Sequence, residues 1–314
     1  MPLTQVHNSL LGQPVNHNIL INPSFTVKQY GDVIEHDTST YGPDRWILRG
    51  IDSVGGTYVR SSTVVDPTTG INKIVVNHDS GGVDACIIQR IETVNLQGLY
   101  GKEMTLSFSY SDEGESGIPK VRLLSYDSSG SWDTIFEGEP TSLGDSRWTC
   151  TFTLSTRDGT IPDFNERGLR LDISANEGNT APSEWSVWET KLEAGSVATP
   201  FIARSYGEEL ALCQRYYQVF GVNSVFAGRG NSTSAIAVSV VPFVPLRASP
   251  SIPSTVSARA YSTSGSTSTT NAGLSLSAFD VYLYIKFDGF NPVLADNRVG
   301  SIQLAQAMPL DSEL

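Results

Sequence analysis

Short stretches that alternate between apolar and polar residues dominate the sequence, and this period of two residues constrains the fold more than any other feature. The clearest stretches cover residues 73–77, 104–110, 121–126, 148–154 and 169–173. Alternation places every second side chain on one face of a strand. Turn-forming residues such as Gly81 and Gly82 separate the stretches. The pattern predicts an all-β fold whose N-terminal part is a jelly-roll β-sandwich.

One segment departs from the period of two and has helical spacing. Residues 205–217 form one broad apolar face. The residues of this face are Leu210, Leu212, Cys213, Tyr216 and Tyr217. Glu208 and Glu209 lie in the first turn, where the helix dipole favours acidic side chains. The spacing predicts a short linker helix within residues 204–220.

Charge divides the chain near the same point. The first 203 residues contain 14 basic and 26 acidic residues, whereas the rest contains seven of each, so the first part carries the whole net charge of −12. This difference predicts two domains, at residues 18–203 and 221–314, on either side of the linker. An acidic chain without a basic stripe is a poor nucleic-acid binder. No apolar run approaches the roughly 18 residues that cross a membrane, and residues 1–17 lack the features of a secretory signal.

The C-terminal part is again rich in alternating stretches, at residues 235–241, 274–278, 281–287 and 300–304. These predict a second β-sandwich. Prolines recur in residues 240–250, which predicts a sheet edge or an extended arm because proline lacks an amide donor. The Ser- and Thr-rich residues 261–271 predict an exposed loop, with a receptor-facing loop as the alternative.

Residues that carry chemistry are sparse and scattered. Cys86, Cys150 and Cys213 form no metal-binding pattern and are expected to be buried thiols, although a disulfide between Cys86 and Cys150 is left open. No nucleophile, zinc or phosphate-binding motif occurs. We therefore expect a protein that is not an enzyme and has no cofactor. A structural Ca²⁺ held by loop carboxylates and carbonyls is the alternative.

Five segments resemble phage tail-fibre and receptor-binding proteins that contain a carbohydrate-binding-module-like jelly roll. NILINPSF at residues 18–25 and YGPDRW at residues 41–46 resemble the opening of that domain, with Pro23 in place of the usual glycine. LEAGSVATPF at residues 192–201 is similar to its closing segment, and EELALCQRYY at residues 208–217 is similar to the linker that follows. VVPFVPLRASP at residues 240–250 resembles a strand of the adjoining C-terminal domain.

The resemblance implies a virion fibre protein, assembled in the host cytoplasm, that attaches the particle to host surface glycans without catalysis. It implies a homotrimer, in which Leu210, Cys213, Tyr216 and Tyr217 are candidate contacts and the C-terminal domain trimerises. Residues 1–17 would be the arm that binds other virion proteins. A collar or head-decoration component without glycan binding and a glycan-active enzyme are the alternatives.

A sugar site needs an aromatic platform beside polar groups that bind hydroxyls. Trp132, in a predicted turn, and its neighbour Asp133 are one candidate pair. Trp185 and Trp188 lie three residues apart in a predicted strand and are expected to face opposite sides. One of these two is then a core residue, and Trp185 is our candidate for the glycan contact.

Overall fold

The computed structural model describes residues 18–31, 33–36, 39–49, 59–78, 85–112, 117–126, 131–155, 167–175, 184–232, 235–240, 242, 244–262, 265–278, 283–288 and 299–311. In this part of the chain the structure is nearly all β, as predicted, with one α-helix. The chain divides into two compact units between Leu210 and Ala211. The predicted domain boundaries at residues 203 and 221 stay predictions.

The N-terminal unit is an antiparallel β-sandwich of two sheets. The seven-stranded sheet has the order β1 (Val33–His36), β4 (Val59–Val65), β5 (Asn72–His78), β13 (Glu184–Ala194), β7 (Glu103–Ser111), β11 (Arg147–Thr153) and β10 (Thr141–Gly144). The six-stranded sheet has the order β2 (Ser39–Tyr41), β3 (Trp46–Arg49), β6 (Cys86–Glu92), β12 (Arg167–Ala175), β8 (Pro119–Tyr126) and β9 (Trp132–Gly138). A short 3₁₀ helix, Thr93–Leu96, follows β6.

Alternating side chains from both sheets build the core of this sandwich. Strand β7 contributes Met104, Leu106 and Phe108 from one sheet, and β12 contributes Leu169 and Leu171 from the other. Trp46 and Trp185 are fully buried in the same core. Burying an aromatic or large aliphatic side chain contributes about 1.5–3 kcal/mol each, which makes this alternation the main determinant of the fold.

The predicted helix is present as α1, Tyr206–Gln214. Ser205 and Glu208 form a capping box at its start, because Glu208 accepts hydrogen bonds from the Ser205 amide (3.0 Å) and hydroxyl (2.7 Å). These hydrogen bonds lower the pKa of the Glu208 carboxyl. The helix ends before strand β14, Tyr217–Phe220. The last residues of the predicted linker, 217–220, are therefore strand.

The C-terminal unit contains a closed six-stranded barrel. Its strands follow the order β15 (Val225–Ser232), β16 (Ala235–Val240), β19 (Leu283–Asp288), β18 (Gly265–Ala278), β17 (Thr255–Ser262) and β20 (Val299–Leu304). Strand β14 pairs separately with β21 (Met308–Asp311). Closure makes the walls of this unit one continuous sheet and removes the free edges that two separate sheets would leave.

The low-complexity segment at residues 261–271 differs from its prediction. Most of it lies in strands: Tyr261 pairs with Ser266, and the pairing of β17 with β18 continues to Thr255 and Gly273. The exposed-loop expectation was therefore wrong for the described residues of this segment. Serine and threonine are common in loops, but threonine also favours strands, and hydrogen bonds across the barrel decided between the two.

Candidate functional site

The outer face of the seven-stranded sheet brings together an aromatic ring, two cations and several hydroxyls. Register pairs Trp188 on β13 with Ser109 on β7, and Ser109 with Arg147 on β11. On the other side of Trp188, Lys73 on β5 lies with its Nζ 4.4 Å from the centroid of the indole ring. We call the outward side chains of Lys73, Trp188, Ser109 and Arg147 the Trp188 row.

The lysine of this row is held by a turn. Asp66 follows β4 and accepts hydrogen bonds at Oδ1 from the amides of Thr68 (2.9 Å) and Thr69 (3.0 Å). Its Oδ2 lies 3.1 Å from Nζ of Lys73. The two amide donors, followed by Lys73, lower the pKa of Asp66 to about 2. The turn therefore fixes an ionised carboxylate that keeps the ammonium group of Lys73 beside the indole.

We expect Lys73→Met to raise the pKa of Asp66 only part of the way from about 2 to its ordinary value of 3.8, because the two amide donors remain. Since the folded-state pKa is the lower one, the interactions of Asp66 stabilise the fold above pH 3.8 and are lost as the pH falls through about 2. Carboxyl ¹³C NMR titration measures the pKa of Asp66 in the wild type and in the variants. The control Lys102→Met removes an exposed lysine and should leave the pKa of Asp66 unchanged. A pKa of 3.8 for Asp66 in Lys73→Met would contradict the contribution of the Thr68 and Thr69 amides.

A β-bulge next to Trp188 is held by Arg147. The register of β13 with β7 shifts between Trp188 and Lys191, and Glu189 in the bulge has φ of 50°. Arg147 donates from Nη1 to the carbonyl oxygen of Glu189 (2.7 Å) and from Nη2 to Oγ of Ser107 (2.7 Å). Regular pairing up to this point already places Trp188 on the outer face, opposite to Val187 in the core. Arg147 fixes the backbone that directly follows Trp188, and burial lowers the pKa of the Arg147 guanidinium.

Small hydroxyl residues form the floor between these larger side chains. Ser107, Ser109 and Ser186 are 0%, 4% and 4% exposed although they point away from the sandwich core. Trp188 and Arg147 remain half-buried above them. A flat apolar ring beside hydroxyl and guanidinium donors matches the two surfaces of a sugar, because pyranose rings have an apolar face and polar edges.

The structure corrects one candidate for the glycan contact and leaves two as predictions. Trp185 is fully buried and stacks on Tyr110 at 6.2 Å, whereas Trp188 is half-buried on the outer face of the sheet. Trp132 begins strand β9 instead of lying in a turn, and its half-buried ring packs edge-to-face on Tyr126 at 5.0 Å. Asp133 is half-buried beside it. Trp132 and Asp133 lie on the other sheet, far in sequence and topology from the Trp188 row.

Three of the four candidate trimer contacts are occupied inside the single chain. Cys213 and Tyr216 are 0% exposed and Tyr217 is 9% exposed, so these three cannot contact a second copy without rearrangement. Leu210 is half-buried and stays a prediction. The apolar face predicted for the helix therefore serves internal packing. The structure adds a buried acid to that helix, Glu209, at 4% exposed.

The opening segment that carries the family resemblance forms a buried polar hub. The side chain of Asn22 donates to the carbonyl oxygens of Val27 (2.8 Å) and Asp44 (3.0 Å) and accepts from the Val27 amide (3.1 Å). The main-chain carbonyl of Asn22 accepts a hydrogen bond from Nε1 of Trp46 (2.9 Å). Burial raises the pKa of Asp44, against the hydrogen bonds that Gln29 donates to it. These hydrogen bonds hold the loops of the opening segment together. Because Asn22 and Asp44 are fully buried, neither side chain is accessible to a ligand in solvent.

The closing segments complete that internal network. Asn18 donates to the carbonyl of Thr190 (2.9 Å) and accepts from the amides of Leu20 and Leu192. Arg204 forms an ion pair with the buried Glu209 (3.2 Å), which also accepts a hydrogen bond from the amide of Asn22. Asn18, Asn22 and Glu209 of these segments thus serve the fold, and none of them belongs to the Trp188 row.

The cysteines have the properties of inert core residues. Cys86, Cys150 and Cys213 are free and buried, so the open disulfide between Cys86 and Cys150 is not formed. Burial raises the pKa of the Cys86 and Cys150 thiols to about 12. In the described ranges, no three His, Cys, Asp or Glu side chains come together in a group that could hold a metal ion. Nor does that part of the chain include a helix long and apolar enough to cross a membrane.

No family model matches the sequence, and no curated protein matches it. Solved structures with similar strand arrangements include the enzymatically active domain of tailspike protein 4 of bacteriophage CBA120, at 11% identity and a TM-score of 0.33. That match covers 57% of this chain but only 21% of the tailspike chain.

Two further similar structures are matched over almost their whole length. The C-terminal family 22 carbohydrate-binding module of Clostridium thermocellum xylanase 10B has 12% identity and a TM-score of 0.37, with 60% of this chain and 99% of the module covered. A Stig cyclase from Fischerella sp. TAU has 16% identity and a TM-score of 0.36, with coverages of 58% and 98%. At these values the similarities assign neither a family nor a function to the chain.

Proposed function

We propose that this chain is a non-catalytic glycan-binding protein of a virion fibre, and that it binds a host surface glycan at the Trp188 row. One observation carries the proposal: a half-exposed indole stands beside a floor of buried serine hydroxyls, flanked by Lys73 and Arg147. The virion location, the homotrimer and the arm at residues 1–17 rest on the resemblance of the sequence segments alone.

The geometry suits adhesion because its parts are pre-organised. The Asp66 turn holds Lys73, and Arg147 holds the backbone of the bulge that directly follows Trp188. Neither group needs to be ordered when a sugar binds, which reduces the entropy cost of binding. A single such site binds weakly, and three copies in a fibre would raise the apparent affinity by avidity.

The interactions of the buried carboxylates and the protonation state of the buried thiols support a non-catalytic role. The carboxylates of Glu193 and Glu209 accept main-chain hydrogen bonds inside the sandwich, and the thiols of Cys86 and Cys150 are protonated at neutral pH. These four groups serve the fold. The Trp188 row itself offers hydrogen-bond donors and an apolar ring, which are the requirements of binding.

Trp188→Ala is expected to weaken binding to host glycans by roughly tenfold or more, because a central aromatic residue often contributes about 2 kcal/mol or more to an interface. A glycan array and whole-cell binding provide the measurement, with circular dichroism to confirm folding. Trp188→Phe should retain part of the affinity. Trp132→Ala is the matched control and should bind as the wild type does.

Three results would contradict parts of the proposal. Loss of binding in Trp132→Ala with normal binding in Trp188→Ala would move the site to the six-stranded sheet. A wild-type protein that binds no host glycan would favour a structural virion component. Shortened polysaccharide chains after incubation with the protein would show a glycan-active enzyme.

A further inference from the structure

Two neighbouring strands of the C-terminal barrel, together with the turns beside them, form a surface without charged residues. Residues 216–228 and 299–310 contain no Asp, Glu, Lys, Arg or His. The two segments have 13 and 12 residues, and at the chain's charged content of 17% about four of these would be charged. The segments are neighbours in space, because Val225 on β15 pairs with Gln303 on β20 and Ala227 pairs with Ser301. The charge-free sequence is thus one continuous surface.

This surface also exposes apolar side chains. Val222 and Val225 are 56% and 60% exposed, and Ala227 and Ala305 are exposed beside them. Ile302 on β20 is fully buried in the barrel core, so its neighbours along the strand point outward. We call the outward side chains of Val222, Val225, Ala227, Ser301, Gln303 and Ala305 the uncharged patch. Exposed apolar residues that cluster on a surface depleted of charge are typical of a contact with another protein.

The turn at residues 221–224, which carries part of the uncharged patch, is held against the end of β20. The Asn223 amide donates to the carbonyl oxygen of Leu304 (2.8 Å), and the Leu304 amide donates to the carbonyl oxygen of Ser224 (2.9 Å). Nε2 of Gln303 donates to Oδ1 of Asn223 (3.3 Å). The turn is therefore ordered before any partner binds, which reduces the entropy cost of association.

A partner has to contact the side chains of the uncharged patch, because the closed barrel offers no free strand edge there. Strand β15 pairs with β16 and β20, and β20 pairs with β15 and β17, so neither strand can accept a further strand. The patch has no exposed aromatic ring: the half-buried Phe226 packs edge-to-face on Phe220 at 5.1 Å. The patch therefore lacks the platform that a sugar needs and fits an apolar protein surface.

We infer that copies of this chain contact one another through the uncharged patch, an inference that rests on the homotrimer in the proposed function. The first 203 residues carry the whole net charge of −12, so copies repel one another and approach at least cost where the surface has no charge. An uncharged apolar surface is complementary to a copy of itself, whereas a surface of one charge repels its copy. The exposed Arg259 on β17, opposite Gln303, lies at the border of the patch, where interfaces are usually polar.

Val225→Lys tests the inference, with Val65→Lys as the matched control, because Val65 at the end of β4 is 52% exposed. Both substitutions make the net charge less negative by one, so both reduce the repulsion between copies equally. Sedimentation equilibrium of the full chain over a range of concentrations measures the apparent dissociation constant. Val225→Lys should raise this constant roughly tenfold or more, because an unpaired charge enters the interface. Val65→Lys should associate as the wild type does, and Val225→Thr, which is similar in shape, should weaken association less than Val225→Lys.

Salt and the glycan-site variant separate the possible outcomes. Wild-type association should strengthen between about 50 and about 200 mM NaCl, because salt screens the repulsion between copies. A monomeric wild type would overturn both the homotrimer and this inference and would favour a different protein partner for the patch. Unchanged association of Val225→Lys, or association that weakens as salt rises, would overturn the inference alone. Trp188→Ala should keep the wild-type mass while it loses glycan binding, so the glycan site and the interface fail separately. Circular dichroism confirms that the variants are folded.

Discussion

Asn22→Ala is expected to lower the free energy of unfolding of the N-terminal unit by about 3–5 kcal/mol, because each buried polar group left without a partner costs about 1–3 kcal/mol. Asn22 is fully buried. Removal of its amide leaves the carbonyls of Val27 and Asp44 and the amide of Val27 without their partner. Water cannot replace these bonds without opening the loop around Trp46.

Asp145→Ala is the matched control for this prediction. Asn22 and Asp145 have similar left-handed backbones, with φ of 54° and 49°, but Asp145 is exposed in the turn between β10 and β11. Replacement of Asp145 should lower the free energy of unfolding by about 1 kcal/mol or less, because only its preference for the left-handed backbone conformation is lost. All five tryptophans precede residue 189, so tryptophan fluorescence during urea unfolding follows the N-terminal unit. Equal losses in the two variants would show that the buried hydrogen bonds contribute little.

The period of two residues predicted the sandwich because burial enforces it. In β12, Leu169, Leu171 and Ile173 all point into the core, and a shift of one residue would expose all three. The helix could likewise be predicted, from its helical spacing and from Glu208 and Glu209 in its first turn. The closure of the C-terminal barrel could not be predicted, because strand order depends on contacts between residues far apart in sequence, such as the pairing of β15 with β20.

The site was predictable only in part. The spacing of Trp185 and Trp188 indicated that one of them faces outward, but it could not show which. The choice depends on the register of β13 with β5 and β7, which places Trp185 on the core face and Trp188 on the outer face. Lys73 and Arg147 come from strands 74 residues apart in sequence and meet Trp188 only through the sheet order. No local pattern marks such a convergence.

The buried ion pair of Lys191 and Glu193 explains why the closing segment of the sandwich has its particular residues. Nζ of Lys191 lies 3.1 Å from Oε2 of Glu193, and their side chains are 4% and 7% exposed. Glu193 accepts hydrogen bonds from the amide (2.8 Å) and hydroxyl (2.6 Å) of Thr199. Lys191 also donates to Oγ1 of Thr199 and to the carbonyl of Pro200. Together the pair holds the segment that runs toward helix α1.

Lys191→Met should therefore destabilise the N-terminal unit by about 3–5 kcal/mol, because it leaves the carboxylate of Glu193 buried without its cation. The double variant Lys191→Met/Glu193→Leu should be less destabilised than the sum of its two single variants, since removing both charges removes that cost. Some loss remains, as the Thr199 amide and the Pro200 carbonyl lose their partners.

Lys120→Met is the control for this cycle, since the pair of Lys120 with Glu137 has similar geometry at 2.8 Å but is partly exposed, at 21% and 43%. Exposed pairs contribute about 0–1 kcal/mol, so the same substitution should have a small effect there. Urea unfolding followed by tryptophan fluorescence measures all four variants. Equal losses of stability in Lys191→Met and Lys120→Met would contradict a large contribution from the buried pair. Additive effects of Lys191→Met and Glu193→Leu would show that Lys191 and Glu193 are not energetically coupled. The geometry of the segment would then depend on the hydrogen bonds that Thr199 donates to Glu193.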